Sequence, residues 1–194
     1  MKLSKKILLS FSLCLFISPV FADQSLVHKT EIRAAQGNAE AQNNLGIMYV
    51  NGRSVIRSEN KAIEWFSKAA AQGHADAQNN LGAMYYTGRG VNQSDSKAFE
   101  WYSKAAAQGN AEAQNNLGIM YLNGQGISEN SALGIEWLLK AASNGNAMAQ
   151  FNIAQSYLDG TNGLPQNRTQ ALNWLKKAAN NGHAQAELML AGLQ

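Results

Sequence analysis

Thiols are nearly absent from this chain. A single cysteine, Cys14, occurs in 194 residues, and it sits among the first 22. Beyond it there can be no disulfide, no cysteine nucleophile and no paired-cysteine metal site, so packing alone must hold the protein together. Leu13 stands before Cys14, where a lipid-anchored cysteine normally follows a small residue, which speaks against lipidation. Proline is almost as scarce: one of the two, Pro165, sits where the pattern below places a loop. No alternation of apolar and polar residues long enough for a strand occurs. No apolar run reaches membrane-spanning length either. The longest, residues 7–17, has about 11 residues, well short of the roughly 20 needed to cross about 30 Å of hydrocarbon.

Charge of one sign is missing as well. The formal +3 comes from 16 basic and 13 acidic residues, and Lys2, Lys5 and Lys6 account for the whole excess. Without those three the chain is formally neutral, with 13 of each sign interspersed. That balance excludes the clustered basic face by which proteins hold nucleic acid or an anionic membrane.

The three lysines have a different meaning. Followed by the short apolar run and then Val20-Phe21-Ala22, they form the three zones of an export signal. The expectation is removal of residues 1–22 and a mature start at Asp23. The mature protein would have no membrane span and would reside in a periplasm, with release outside as the alternative.

What remains is one unit, repeated. "AQNNLG" recurs at residues 41–46, 77–82 and 113–118, always 36 apart. Cut at the glycine, the units are residues 37–72, 73–108, 109–144 and 145–181, the last one residue longer around Thr161–Pro165. Residues 23–36 resemble the second half of a unit and residues 182–194 the first half, which marks them as capping half-repeat helices. A fixed period of this length is the signature of a solenoid.

Inside a unit the apolar spacing is helical. Ala77, Leu81, Met84 and Tyr85 form one stripe, and Ala98, Trp101, Tyr102, Ala105 and Ala106 form another. Gly88 and Gly90 end the first helix, while Ser94, matched by Ser58, Asn130 and Asn167, is placed to cap the second. The pattern predicts an all-α protein, a right-handed α/α superhelix of about ten antiparallel helices. A lone helix pair cannot bury both stripes, so neighbouring units must share a core. Expected core residues are Leu45, Leu81 and Leu117; Gly46, Gly82 and Gly118; and Trp65, Trp101, Trp137 and Trp174. Glycine inside a helix costs about 1 kcal/mol relative to alanine. Its recurrence there predicts that a second helix passes directly over it, with the tryptophans filling the space between.

Ala-x-Ala-Gln-x-Asn-Leu-Gly-x-Met-Tyr, then Gly-x-Gly-Val, then Lys-Ala-x-Glu-Trp-x-x-Lys-Ala-Ala resembles the Sel-1-like repeat, a relative of the tetratricopeptide repeat. The departures are local: Ser54 replaces a loop glycine, Leu133-Gly134 replace Lys-Ala, and Phe151 and Ala154 replace Asn and Gly. The resemblance implies an exported interaction scaffold whose first helices line a concave face. Exported members of the family serve in envelope assembly, signalling and host interaction.

Nothing in the chain has the pattern of a catalytic or metal site. The histidines are His28, His74 and His183, the last two in non-adjacent units. His-Glu-x-x-His and Gly-x-Ser-x-Gly are absent, and no Ser-x-x-Lys has a partner set beside it. No cofactor is expected. Cysteine-rich relatives described as β-lactamases carry paired cysteines, which this chain lacks. An enzyme or wall-ligand binder is therefore the second reading, and a self-associating structural protein, monomer giving way to homodimer, the third.

The twin asparagines are the candidate site. From the stripe Leu45, Met48 and Tyr49, Asn44 falls just off the buried face and Asn43 further round. Stacking then makes one row of Asn44, Asn80, Asn116 and Asn152, and a second of Asn43, Asn79 and Asn115, interrupted by Phe151. A carboxamide both donates and accepts, as a peptide group does. The rows suit either fastening between helices or gripping an extended or helical segment of a partner protein.

Overall fold

A computed structural model describes residues 19–193 of the chain. Cys14 and most of the proposed leader lie outside the described residues. Among those described there are ten helices and no strand: α1 Pro19–Ala35, α2 Ala39–Asn51, α3 Glu59–Ala71, α4 Ala75–Thr87, α5 Asp95–Ala107, α6 Ala111–Asn123, α7 Ser131–Ser143, α8 Ala147–Asp159, α9 Arg168–Asn180 and α10 Ala184–Leu193. They run antiparallel in sequence order and wind as a right-handed superhelix.

Identical devices start and stop the helices. Ser58, Ser94, Asn130 and Asn167 each accept the amide three residues on, as the sequence predicts for the second helix of a pair. First helices are capped the same way by Asn38, His74, Asn110 and Asn146. They end at Gly52, Gly88, Gly124 and Gly160, whose left-handed φ of 64° to 69° suits glycine. Ser54, in place of a loop glycine, is held at φ 60°, a conformation L residues seldom adopt.

The core is built across repeat boundaries. Ala62, Phe66, Ala69 and Ala70 of α3 close on Ala77, Leu81 and Met84 of α4, and the next boundary repeats this with Ala98, Tyr102, Ala105 and Ala106 against Ala113, Leu117 and Met120. Full burial of each leucine contributes about 1.5–3 kcal/mol. Because these clusters join neighbours, no repeat is stable alone.

The mid-helix glycines are where helices touch. A Cβ on Gly46 would lie 2.5 Å from the ring of Phe66, and one on Gly82 would lie 2.8 Å from that of Tyr102. In the third repeat Gly118 and Gly134 face each other: a Cβ on Gly118 would meet the Gly134 carbonyl at 2.9 Å. Gly134 thus accounts for the departure from Lys-Ala there. The expected overlying helix is the second helix of the same repeat.

What fills the space is not tryptophan, however. Phe66, Tyr102, Leu138 and Leu175, each one residue after a tryptophan, are the buried residues. Trp65, Trp101, Trp137 and Trp174 are only half-buried. Each lies under a lysine ammonium three residues on, at 4.0 to 4.2 Å from the ring centroid. One position along a helix turns a side chain about 100°, so the tryptophans lie at the rim of the core with their lysines over them.

Candidate functional site

Each first helix buries more than its apolar stripe. Gln42, Asn43 and Gly46 are buried along with Ala41 and Leu45, and the same holds for the matching residues of α4 and α6. The buried arc is therefore wider than the hydrophobic one, and it turns the helix so that Asn43, Asn79 and Asn115 point inward. They are 5% to 6% exposed. Asn44 is exposed, and Asn80, Asn116 and Asn152 are half-buried. This reverses the expected order, in which Asn43 lay further from the core than Asn44.

The two rows interlock between repeats. Asn80 donates from Nδ2 to Asn43 Oδ1 (3.0 Å), Asn116 to Asn79 (3.4 Å) and Asn152 to Asn115 (3.3 Å). The buried asparagine of one repeat is thus satisfied by the half-buried one of the next. Where the inner row reaches Phe151, the pairing becomes apolar: Met189 of α10, in register with Asn152, packs on the cluster that contains Phe151. Phe151 also stacks on His183 at 4.3 Å.

A second clasp, not anticipated from the sequence, uses the glutamine of each unit. Gln42 donates to the Ala34 carbonyl and accepts from Gln72; Gln78 donates to Ala70 and accepts from Gln108. Gln114 with Asn144, and Gln150 with Asn181, repeat the arrangement. Both ends of a buried carboxamide are satisfied, which avoids a cost of about 1–3 kcal/mol for each group. The sequence signal was present: a glutamine at one position, and glutamine or asparagine just before each repeat-ending glycine.

The exposed side of the first helices is hollowed along its length. A recess of about 510 Å³ is lined by Asn43, Asn44, Ile47, Asp76, Asn79 and Asn80, together with residues 110–112. Another of about 350 Å³ lies over Ile119, Asn152, Gln155 and Ser156. One of about 260 Å³ lies between Leu26, Thr30, Asn44 and Met48. All seven candidate asparagines lie on these helices, but only the outer row, Asn44, Asn80, Asn116 and Asn152, is accessible enough to meet a partner with more than an edge.

Other candidates have local explanations. His74 and His183 accept helix-start amides through Nδ1 from Ala77 and Ala186. Ser58 and Ser94 lie three residues before Lys61 and Lys97. The serines are occupied as caps, and the ammonium groups lie over Tyr49 and Tyr85 at 5.2 Å. Asp76 accepts from Asn110 and Glu112 from Asn79. Among the described residues no cluster of His, Asp or Glu could hold a metal ion, and no helix is long and apolar enough to cross a membrane.

Comparison with known proteins gives a consistent picture. The Sel1 repeat pattern matches residues 39–74, 75–110, 111–146 and 147–183, the same period cut two residues later than at the glycine. A Sel1 repeat protein from Oxalobacter formigenes is 31% identical over 90% of this chain and 73% of its own, with a TM-score of 0.75. A protective antigen of uropathogenic Escherichia coli with the same fold is 30% identical over 89% of this chain and 45% of its own, with a TM-score of 0.57. An immunity protein of Pseudomonas aeruginosa is 25% identical over 83% of this chain and 58% of its own, with a TM-score of 0.61. No curated protein sequence matches significantly.

Proposed function

The chain belongs to the Sel1 repeat family, whose solenoids generally serve as protein-interaction scaffolds, and from that premise we propose that it is an exported, non-enzymatic adaptor. Its ligand is an extended segment of a partner protein lying along the first helices. The observation that carries this reading is the outer asparagine row over a hollowed face. Asn80, Asn116 and Asn152 each spend one N–H on the preceding repeat's inner asparagine. The second N–H and at least one lone pair remain on each carboxamide for a peptide group, Asn116 Oδ1 already accepting from Asn115 at 3.5 Å. The fastening bond also orients the carboxamide in advance, which lowers the entropy cost of binding.

Asn44 separates the two roles. It is exposed, and among the described residues no inter-repeat bond holds it. Asn44→Ala should leave the thermal melt unchanged and weaken binding of extended peptides selected from a random display library on the wild-type protein. Asn80→Ala with Asn116→Ala should lower both, with a stability loss of about 1–3 kcal/mol from the orphaned Asn43 and Asn79 oxygens. Unchanged peptide affinity in both variants rejects the asparagine row as the binding surface.

Export rests on the lysine start and short apolar run. The helix α1 begins at Pro19, so cleavage after Ala22 trims its first four residues. Intact mass of the protein recovered from the periplasmic fraction should correspond to a start at Asp23; a mass that retains Cys14 counts against processing.

A further inference from the structure

Between α4 and α6 lies a small hollow of about 100 Å³, lined by Tyr86, Tyr102, Asn116, Ile119, Met120 and Gln125. Tyr102 reaches it from α5 and is 4% exposed. Yet among the described residues nothing is hydrogen-bonded to its hydroxyl, and the oxygen is not sealed off from the hollow. Packing does not require that hydroxyl. The matching residue of the first repeat is Phe66, which covers its glycine as Tyr102 covers Gly82. The ring is buried but its oxygen opens on the hollow, so a ligand group there can take the place of solvent on that hydroxyl.

The rim completes a donor set. Gln125 donates from Nε2 to the Tyr86 oxygen at 3.0 Å, which fixes the ring and leaves the Tyr86 O–H proton free. Ile119 and Met120 supply apolar walls. Asn116 and Gln125 add oxygens that already accept one long bond each, from Asn115 (3.5 Å) and Asn123 (3.4 Å), and keep a second lone pair. No lysine or arginine lines the hollow. Burial, with smaller contributions from Tyr86 and Glu112, holds the Tyr102 phenol well above its ordinary 10.0, so it remains a donor at physiological pH.

We propose that this hollow is a specificity pocket that receives one carboxamide side chain, glutamine or asparagine, from the segment lying along the first helices. The inference rests on the adaptor reading above and adds what the partner must present. The volume is well below the roughly 300–1,000 Å³ of small-molecule sites and suits a single side chain. Two phenol donors suit an acceptor in the occupant, and the remaining lone pairs of the rim oxygens suit a donor. A carboxylate would enter without a counter-charge and lose its hydration. A carboxamide satisfies both halves and stays neutral.

Propionamide is the glutamine side chain cut free, and it tests the pocket without any peptide. In protein labelled at tyrosine rings and methionine methyls, propionamide should shift the Tyr102 and Met120 resonances saturably, at roughly millimolar concentration for so small a ligand. Tyr102→Phe should weaken this about five-fold, the loss of one hydrogen bond of roughly 1 kcal/mol. Propionate, of the same shape but charged, should bind at least about ten-fold more weakly than propionamide. The Phe variant should fold, since the first repeat already carries phenylalanine there. Tyr86→Leu is a second variant, because the third and fourth repeats have Leu122 and Leu158 at that position, and it should weaken binding too. No saturable shift, equal binding of propionate, or undiminished binding in both folded variants overturns the pocket. The adaptor reading stands or falls separately, on Asn44.

Discussion

At the junction of the first and second repeats Arg89 reaches back to Glu59, Nε to Oε1, at 3.0 Å. One repeat on, the same position is Gln125, which turns to Tyr86 instead. Asp95, the counterpart of Glu59, is left with a carboxylate oxygen buried and unpartnered. Around these residues the two junctions are alike: the same glutamine reaches back to an alanine carbonyl and the same asparagines pair, and each repeat before the junction lays a ring over its own glycine. Both junctions keep a hollow at this place: the first, of about 330 Å³, has Val50, Phe66 and the ion-paired Arg89 on its wall, where the second, of about 100 Å³, has Tyr86, Tyr102 and Gln125. A repeat protein can thus keep the contacts that stack it and vary the loop residues that finish each boundary, and individuality is to be sought in the latter.

The shared part should break hardest. Gly82→Leu must displace Tyr102, and it should destabilise the protein by roughly 1–3 kcal/mol in a denaturant melt, as should Gly46→Leu against Phe66. Greater stability in either would mean the glycine face is open, since leucine has the better helix propensity.

A smaller change should make the second junction resemble the first. Gln125→Arg offers Asp95 the partner that Glu59 has, and it should raise stability by about 1 kcal/mol by satisfying the orphaned oxygen. It also removes the donor to Tyr86, so propionamide binding should weaken while the melt improves.

The smallest effect is expected from the converse, Arg89→Gln. Hydrogen bonds from Arg57, and then Arg89, hold the Glu59 carboxyl below its ordinary 4.5. A carboxylate so lowered stabilises the fold above that value, and the gain is lost as pH falls through the native pKa. Glu59 is open to solvent, so salt screens the pair. Arg89→Gln should lower the midpoint slightly at neutral pH and low salt, and the difference from wild type should vanish in acid. A gap that persists once Glu59 is fully protonated assigns the effect of Arg89 to packing.

Much of this architecture was legible in the residues. Ser58, Ser94, Asn130 and Asn167 cap helices where the pattern placed them, because capping is decided within four residues of chain. The facing of Asn43 and Asn44 was not legible from the apolar stripe. Leu45, Met48 and Tyr49 show which side meets the second helix, but Asn43 is covered by Asn80, 37 residues away. Polar residues inside a buried arc carry no hydrophobic signal. The same limit hid the glutamine clasp, and it assigned the core to Trp101 when Tyr102 lies deeper. Tyr102 itself looked like one more member of the buried stripe; the place of its hydroxyl emerged only when three helices were brought together around it.

The four tryptophans, one per repeat and each under its own lysine, give the protein a built-in gauge. Their surroundings are so alike that each should contribute a similar share of the fluorescence, and each share is tied to the integrity of one boundary. A solenoid that frays from an end would then lose its native emission in instalments, about a quarter at a time, whereas one that opens as a whole would lose it at once. Light emission here counts standing repeats, so a single optical trace distinguishes a chain that unzips from one that collapses.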